Sequence, residues 1–450
     1  MLSPATEILC RVGFVYNPMK QFQNNNKRPH LGGKKMRILF SLVCILFLSL
    51  GSSVVHADKD RHDGYDRHDY NDDRRGQRYR GLNRKAKREL REAGVDKYLG
   101  MFKPAVSADM GNGWTKHTFD PRFDLSGPQG PVCIAGTEYS VFTRKGKKNK
   151  LLIFEQGGGA CWQNFYNCNV FAEEQEPPAD GPLPGIFDPD ADGNPFADYS
   201  IVYMPYCDGS VFTGDNAAVD PVWQSLTGIP ARFHYGLRNQ SAGMDLARKM
   251  FPKAKRITVA GSSAGGVGAA GFAPFLARFV FGNRVDLTVF NDAGPITTNL
   301  SDGVAVAARA NDWDFGKFYP TSCSECDDMG DSTGIVQWRL DNDSTIREAF
   351  YETDNDLTNR FFLNLLLDPF GFYNLVVSGN GAINAEHPRR YKRFIVSGDD
   401  SHTALQSPIF FTQESNGNKL NEWTRGLLKN KRKKWVDTVE DFVFVPPPTP

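Results

Sequence analysis

The chain has 450 residues, 53 Lys+Arg against 52 Asp+Glu, and a formal net charge of +1. That balance leaves no basic surplus of the kind that neutralises phosphates, so nucleic acid is not an expected partner. The length admits one large domain with extensions at its ends.

The first interpretable element is an apolar run of thirteen residues, Ile38 to Leu50, preceded by Lys34, Lys35 and Arg37. It is short for a bilayer span and of the right length for the core of an export signal. Val55-His56-Ala57 supplies small residues at the −3 and −1 positions. Cleavage is therefore expected after Ala57, with Met36 as the start, and the alternative is an uncleaved anchor. The product would be secreted, periplasmic or extracellular, mildly negative in charge, and a monomer with no remaining membrane span. It keeps six cysteines: Cys133, Cys161, Cys168, Cys207, Cys323 and Cys326. An even number in an oxidising compartment points to disulfides, with fifteen pairings open. Cys323-Ser324-Glu325-Cys326 also has zinc-ligand spacing, but no second Cys or His pair completes a four-ligand set. No metal and no cofactor are expected.

Residues 58–99 follow as a charged linker, alternating Asp, Arg, His and Tyr with few aliphatic side chains. Such a stretch is read as disordered because it cannot bury a core. Residues 446–450 are a Pro-rich tail. Between them, 100–445 carries short apolar runs at Leu151–Phe154, Ile201–Met204, Ile257–Ala260, Leu287–Phe290, Ile335–Trp338 and Phe394–Val396. Their length and β-branched content predict buried strands. Ser241–Met250 reads as a helix stopped by Phe251-Pro252. Alternating strands and helices predict an α/β fold with a mostly parallel sheet.

Two pentads fit Gly-x-Ser-x-Gly, one centred on Ser263 and one on Ser332. Only Ser263 follows a predicted strand and precedes a run of small residues, Gly265 to Gly271. That is the strand–turn–helix elbow that lifts a nucleophilic hydroxyl above a sheet edge. Ser332 lies after the Cys-bearing loop, where its glycines read as turn punctuation.

A serine hydroxyl needs a base within reach and donors for the oxyanion formed on attack. Gly157-Gly158-Gly159-Ala160 follows a predicted strand upstream, so backbone N–H groups near Gly158, Gly159 and Ala160, with that of Ala264, are the candidate oxyanion donors. His387 and His402 are the two histidines after the serine. His402 is preferred because it follows the strand ending at Val396, on the same sheet edge as the elbow. For the orienting acid, Asp341 and Asp343 compete after the predicted strand Ile335–Trp338. Asp343 is preferred, although it could equally cap a helix beginning at Ser344.

Taken together, Gly157 to Trp162, Tyr206 to Asp215, Gly261 to Gly266 and Gly398 to His402 resemble, in this order, the pectin acetylesterase/Notum family. The resemblance implies an α/β-hydrolase fold and ester hydrolysis by a Ser/Asp/His triad. It also implies the pairings Cys161–Cys168 and Cys133–Cys207, and Cys323–Cys326 is expected as a third. The family commonly has Trp where Ala160 stands. The reading is thus a secreted serine carboxylesterase with catalytic Ser263, Asp343 and His402, acting on O-acetyl groups of a polysaccharide. A lipid, polyester or protein acyl ester is the alternative substrate, and a non-catalytic glycan-binding protein the alternative from another class.

Overall fold

The computed structural model describes residues 81–147, 149–171, 177, 183–327 and 329–446. The export signal, Met36, the Ala57 cleavage site, most of the proposed linker and residues 447–450 lie outside the described residues.

Ten strands form the main sheet: β1 (Pro104–Gly111), β2 (Trp114–Phe119), β3 (Tyr139–Arg144), β4 (Lys150–Glu155), β5 (Ser200–Met204), β6 (Arg256–Ser262), β7 (Asp286–Asp292), β8 (Arg347–Thr353), β9 (Tyr391–Val396) and β10 (Thr438–Val439). Their spatial order is β1-β2-β3-β5-β4-β6-β7-β8-β9-β10. From β5 to β10 every neighbouring pair is parallel, while β1, β2 and β3 pair antiparallel at one end. This is an α/β-hydrolase-like fold, as the sequence predicts.

The strands read as nearly continuous apolar runs because both faces of the sheet are covered. Leu151, Ile153, Ile257, Val259, Leu287 and Val289 enter one hydrophobic cluster. Their alternates Leu152, Phe154, Ala260 and Phe290 enter a second, on the other face, with Trp423 and Trp435. The crossover helix Gly236–Met250 lies between β5 and β6, and contains the predicted Ser241–Met250 segment.

Three expectations are corrected. Ile335–Trp338 is not a strand but part of the helix Thr333–Asn342. The strand of that region is β8, in the stretch read as a possible helix after Ser344. The linker does not run to residue 99: Arg84–Glu92 is a helix capped by Asn83, and Leu82, Ala86, Leu90 and Val95 are buried in the main core. Apart from Glu89, which is buried and accepts from Ser322 Oγ, the charges of this helix lie toward solvent, which is why its composition resembles a solvated tether.

The three disulfides are Cys133–Cys207, Cys161–Cys168 and Cys323–Cys326. The first links the segment before β3 to the one after its neighbour β5. The second staples the ribbon Gly159–Trp162/Phe165–Cys168. The third uses both thiols of the Cys-x-x-Cys segment, so neither is a thiolate ligand.

The packing of the Arg84–Glu92 helix is testable. Leu90→Ala should lower the unfolding free energy by about 2–4 kcal/mol in urea titrations, the cost of emptying a buried leucine site. No change would mean that the domain begins after this helix.

Candidate active site

At the C-terminal end of β6 the chain turns directly into the helix Ala264–Ala270, with Ser263 at the apex. Ser263 has φ 57° and ψ −123°, a conformation disfavoured for a side chain with Cβ. The turn is held by Ser263 N–H donating to Asp292 O at 2.8 Å and Val267 N–H donating to Ser263 O at 3.1 Å. Glycine is required behind it, since a Cβ on Gly265 would lie 2.0 Å from Glu155 O.

The glycine loop after β4 lies against this turn. A Cβ on Gly157 would meet Ser262 O at 2.7 Å and Ser263 Cβ at 2.8 Å. Gly159 has φ 78°, and Ala160 stands in the disulfide-stapled ribbon opposite Asn167. Gly159, Ala160, Ser263 and Ala264 line one pocket. Gly158 lies outside that lining, packed toward Asn169 and Tyr206.

His402 follows β9, at the same sheet edge. Its Nδ1 is 2.6 Å from Asp356 Oδ2, and Asp356 itself is fully buried three residues past β8. A carboxylate can only accept, so Nδ1 carries the proton and Nε2 presents its lone pair. Nε2 is buried without a hydrogen-bond partner among the described residues. Burial opposes the imidazolium, but the Asp356 charge and hydrogen bond, with Asp292, outweigh it and raise the His402 pKa above its usual value of 6.5.

Two acids support this pair. Asp292, at the end of β7, accepts from Ser262 Oγ at 2.5 Å and from the backbone N–H groups of Ala404 and Leu405, each at 2.9 Å. It thus ties the His402 loop to the serine strand, and Ser262 is turned into this contact. Glu352 is fully buried near the end of β8, accepting from Asn359 Nδ2 at 2.8 Å and Thr353 N–H at 3.0 Å. Burial, reinforced by the neighbouring Asp356 carboxylate, raises Glu352 well above the usual carboxyl range.

Asp343 is therefore corrected as the triad acid. Its carboxylate takes a two-pronged ion pair from Arg278, Nε to Oδ2 at 2.6 Å and Nη2 to Oδ1 at 3.1 Å, with both side chains buried. Asp341 is exposed and lies 3.3 Å from Nε2 of His387, which caps a helix before β9, at the opposite sheet edge from His402. The carboxylate that meets His402 does follow a strand, but that strand is β8 and the residue is Asp356. Ser332 precedes a helix with no strand before it, although it also lines the pocket.

The pocket encloses about 700 Å³, counting the part open to solvent. Its walls are mostly apolar, with Trp162, Val267, Trp313, Phe315, Phe362 and Leu363 among them.

A serine on a strand-to-helix elbow, a glycine loop beside it and a His–Asp pair on the same edge define a member of the α/β-hydrolase fold class. Residues 124–299 match the pectinacetylesterase family model. They contain three of the four motifs that carry the resemblance and stop short of β8 and β9. The chain is also 26% identical over 145 residues to the curated palmitoleoyl-protein carboxylesterase notum2 of Xenopus laevis, over 30% of this chain and 28% of that protein. The chain thus spans less than a third of the length of the relative it matches.

The electrostatics can be read directly by NMR. His402 should titrate above 6.5 in the wild-type protein, and Asp356→Asn should bring it below 6.5, because burial persists while its counter-charge is lost. An unchanged midpoint would contradict the pairing.

Proposed function

We propose that this protein is a serine carboxylesterase, with Ser263 as nucleophile, His402 as base and Asp356 as its orienting acid. The observation that carries the reading is the His402–Asp356 contact at the edge where the strained Ser263 elbow meets the glycine loop. In this chemistry His402 Nε2 takes the Ser263 proton as Oγ bonds to the ester carbonyl carbon. Backbone N–H groups around Gly159–Ala160 and at Ala264 receive the oxyanion. The C–O bond breaks as imidazolium protonates the departing alcohol. Water then adds to the acyl-enzyme with His402 again as base, releasing the carboxylic acid and free Ser263. The match of residues 124–299 supports this class of reaction.

The preferred substrate is an O-acetyl group on a polysaccharide, in keeping with the family match. A second reading, a longer apolar acyl group, is favoured by the aromatic and aliphatic pocket walls and accords with the name of the frog relative. The three disulfides support action outside the reducing cytosol.

With p-nitrophenyl acetate, Ser263→Ala should abolish turnover, and His402→Ala and Asp356→Asn should each lower kcat by roughly 10⁴-fold. Asp343→Asn should instead destabilise the fold by about 3–5 kcal/mol, by leaving Arg278 buried and uncompensated. Equal rates for Ser263→Ala and wild type would overturn the esterase reading in favour of a binding protein. Comparing acetyl with C16 esters separates the two substrates: a kcat/KM in favour of acetyl supports the first and one in favour of C16 the second.

A further inference from the structure

The acid of the proposed triad does not stand alone behind His402. Glu352, on β8, is fully buried, and its carboxyl meets that of Asp356 in a hydrogen bond. Asn359 bridges the two, its backbone N–H donating to Asp356 Oδ1 at 2.9 Å and its Nδ2 to Glu352 Oε2 at 2.8 Å. The same Nδ2 donates to Ala293 O at 2.9 Å, next to Asp292. Glu352 Oε1 accepts from Thr353 N–H at 3.0 Å. These donors to Glu352, an amide and a peptide N–H, are both uncharged.

A carboxylate accepts and cannot donate, so two carboxyls that meet in a hydrogen bond hold a proton on one of them. Two like charges side by side are in any case costly in a buried site. Asp356 is the one placed to carry the charge. Its Oδ2 faces His402 Nδ1, and it is attracted by the guanidinium of Arg360, whose N–H groups go to the backbone carbonyls of Asn355, Leu365 and Leu366. Glu352 has no such cation: the charge that bears on it is that of Asp356, and the phenol of Tyr351, beside it on β8, is pushed well above its usual range by burial. Burial and the Asp356 charge push the Glu352 carboxyl up as well, in keeping with a proton held there.

We propose that Glu352 is a positioning residue for His402: carrying the pair's proton, it donates to Asp356 and holds that carboxylate against Nδ1, which extends the triad to Ser263, His402, Asp356 and Glu352. The proposal rests on the esterase reading for the role of His402 and goes beyond it in assigning a fourth member. Glu352 lies outside the pocket lining, so it acts through Asp356 and not on the substrate. Taking this donor away leaves more of the Asp356 charge to the imidazole and leaves the carboxylate freer to turn.

The test compares Glu352→Gln, which keeps an N–H donor for Asp356, with Glu352→Leu, which keeps the bulk and removes the donor, both in the full chain. The His402 titration midpoint, read by NMR, should hold its wild-type value in Glu352→Gln and rise in Glu352→Leu, while Asp292, the other charge that bears on His402, is unaltered in both. With p-nitrophenyl acetate, Glu352→Leu should lose kcat by about tenfold at unchanged KM, the size of one lost hydrogen bond to a charged group, and Glu352→Gln should recover most of it. A midpoint that falls in either variant would mean that Glu352 is charged in wild type and would overturn the proposal. So would a folded Glu352→Leu with wild-type kcat and midpoint, or a Glu352→Gln no more active than Glu352→Leu. Should Glu352→Leu not fold, the midpoint in Glu352→Gln decides: held, it supports the proposal, and lowered, it overturns it. The NMR measurement keeps the two readings apart, because it reports on Glu352 even if the protein turns over no ester.

Discussion

The constraint on which the rest depends is the backbone of Ser263. A non-glycine residue at φ 57° and ψ −123° costs on the order of 1–3 kcal/mol, and persists only where its surroundings over-determine it. Those surroundings are built from absent side chains. Gly261, Gly265 and Gly157 let three backbone segments close on the turn, and a Cβ on any of them would lie within 3 Å of a neighbouring atom. The pentad spacing is thus a packing requirement as much as a chemical signature. The Ser332 copy has the same spacing and no strand before it.

A second level of order comes from the parallel sheet. Because β4, β6, β7, β8 and β9 run in one direction, the loops after all five emerge at one edge. They bring the glycine loop, Ser263, Asp292, Asp356 and His402 to that edge although Gly157 and His402 are 402 − 157 = 245 positions apart in the chain. Asp292 links the serine turn to the His402 loop through its two carboxylate oxygens and its backbone carbonyl. Glu352, whose carboxyl burial pushes well above its usual range, is engaged by Asn359 and Thr353 rather than by the imidazole. The proposed base is thereby oriented by one acid and its loop anchored by another.

Much of this was legible in the sequence. Strands β4, β5, β6, β7 and β9 are apolar on both faces and announce themselves by composition. The carboxylate partner of His402 was missed because it follows β8, Arg347–Thr353, which carries Arg347, Glu348 and Glu352. Those charges look like an exposed helix face, yet all three are buried with partners: Asp286, Arg339 and Asn359. Meanwhile Ile335–Trp338, a short apolar run, was equally compatible with a buried helix. Pairing partners that lie 7 to 61 residues away leave no local periodic signal. The same holds for Asp292, whose significance comes from what surrounds it in space.

The central claim is that Ser263 is the residue this edge activates, with His402 and Asp356 behind it. The most direct measurement is peptide mapping by mass spectrometry after treatment with a serine-reactive fluorophosphonate. The account predicts one adduct, on Ser263, formed in wild type and in Asp343→Asn at matched folded concentration and lost in His402→Ala. An adduct on Ser332 or Ser262, or labelling of Ser263 that is indifferent to His402, would contradict it.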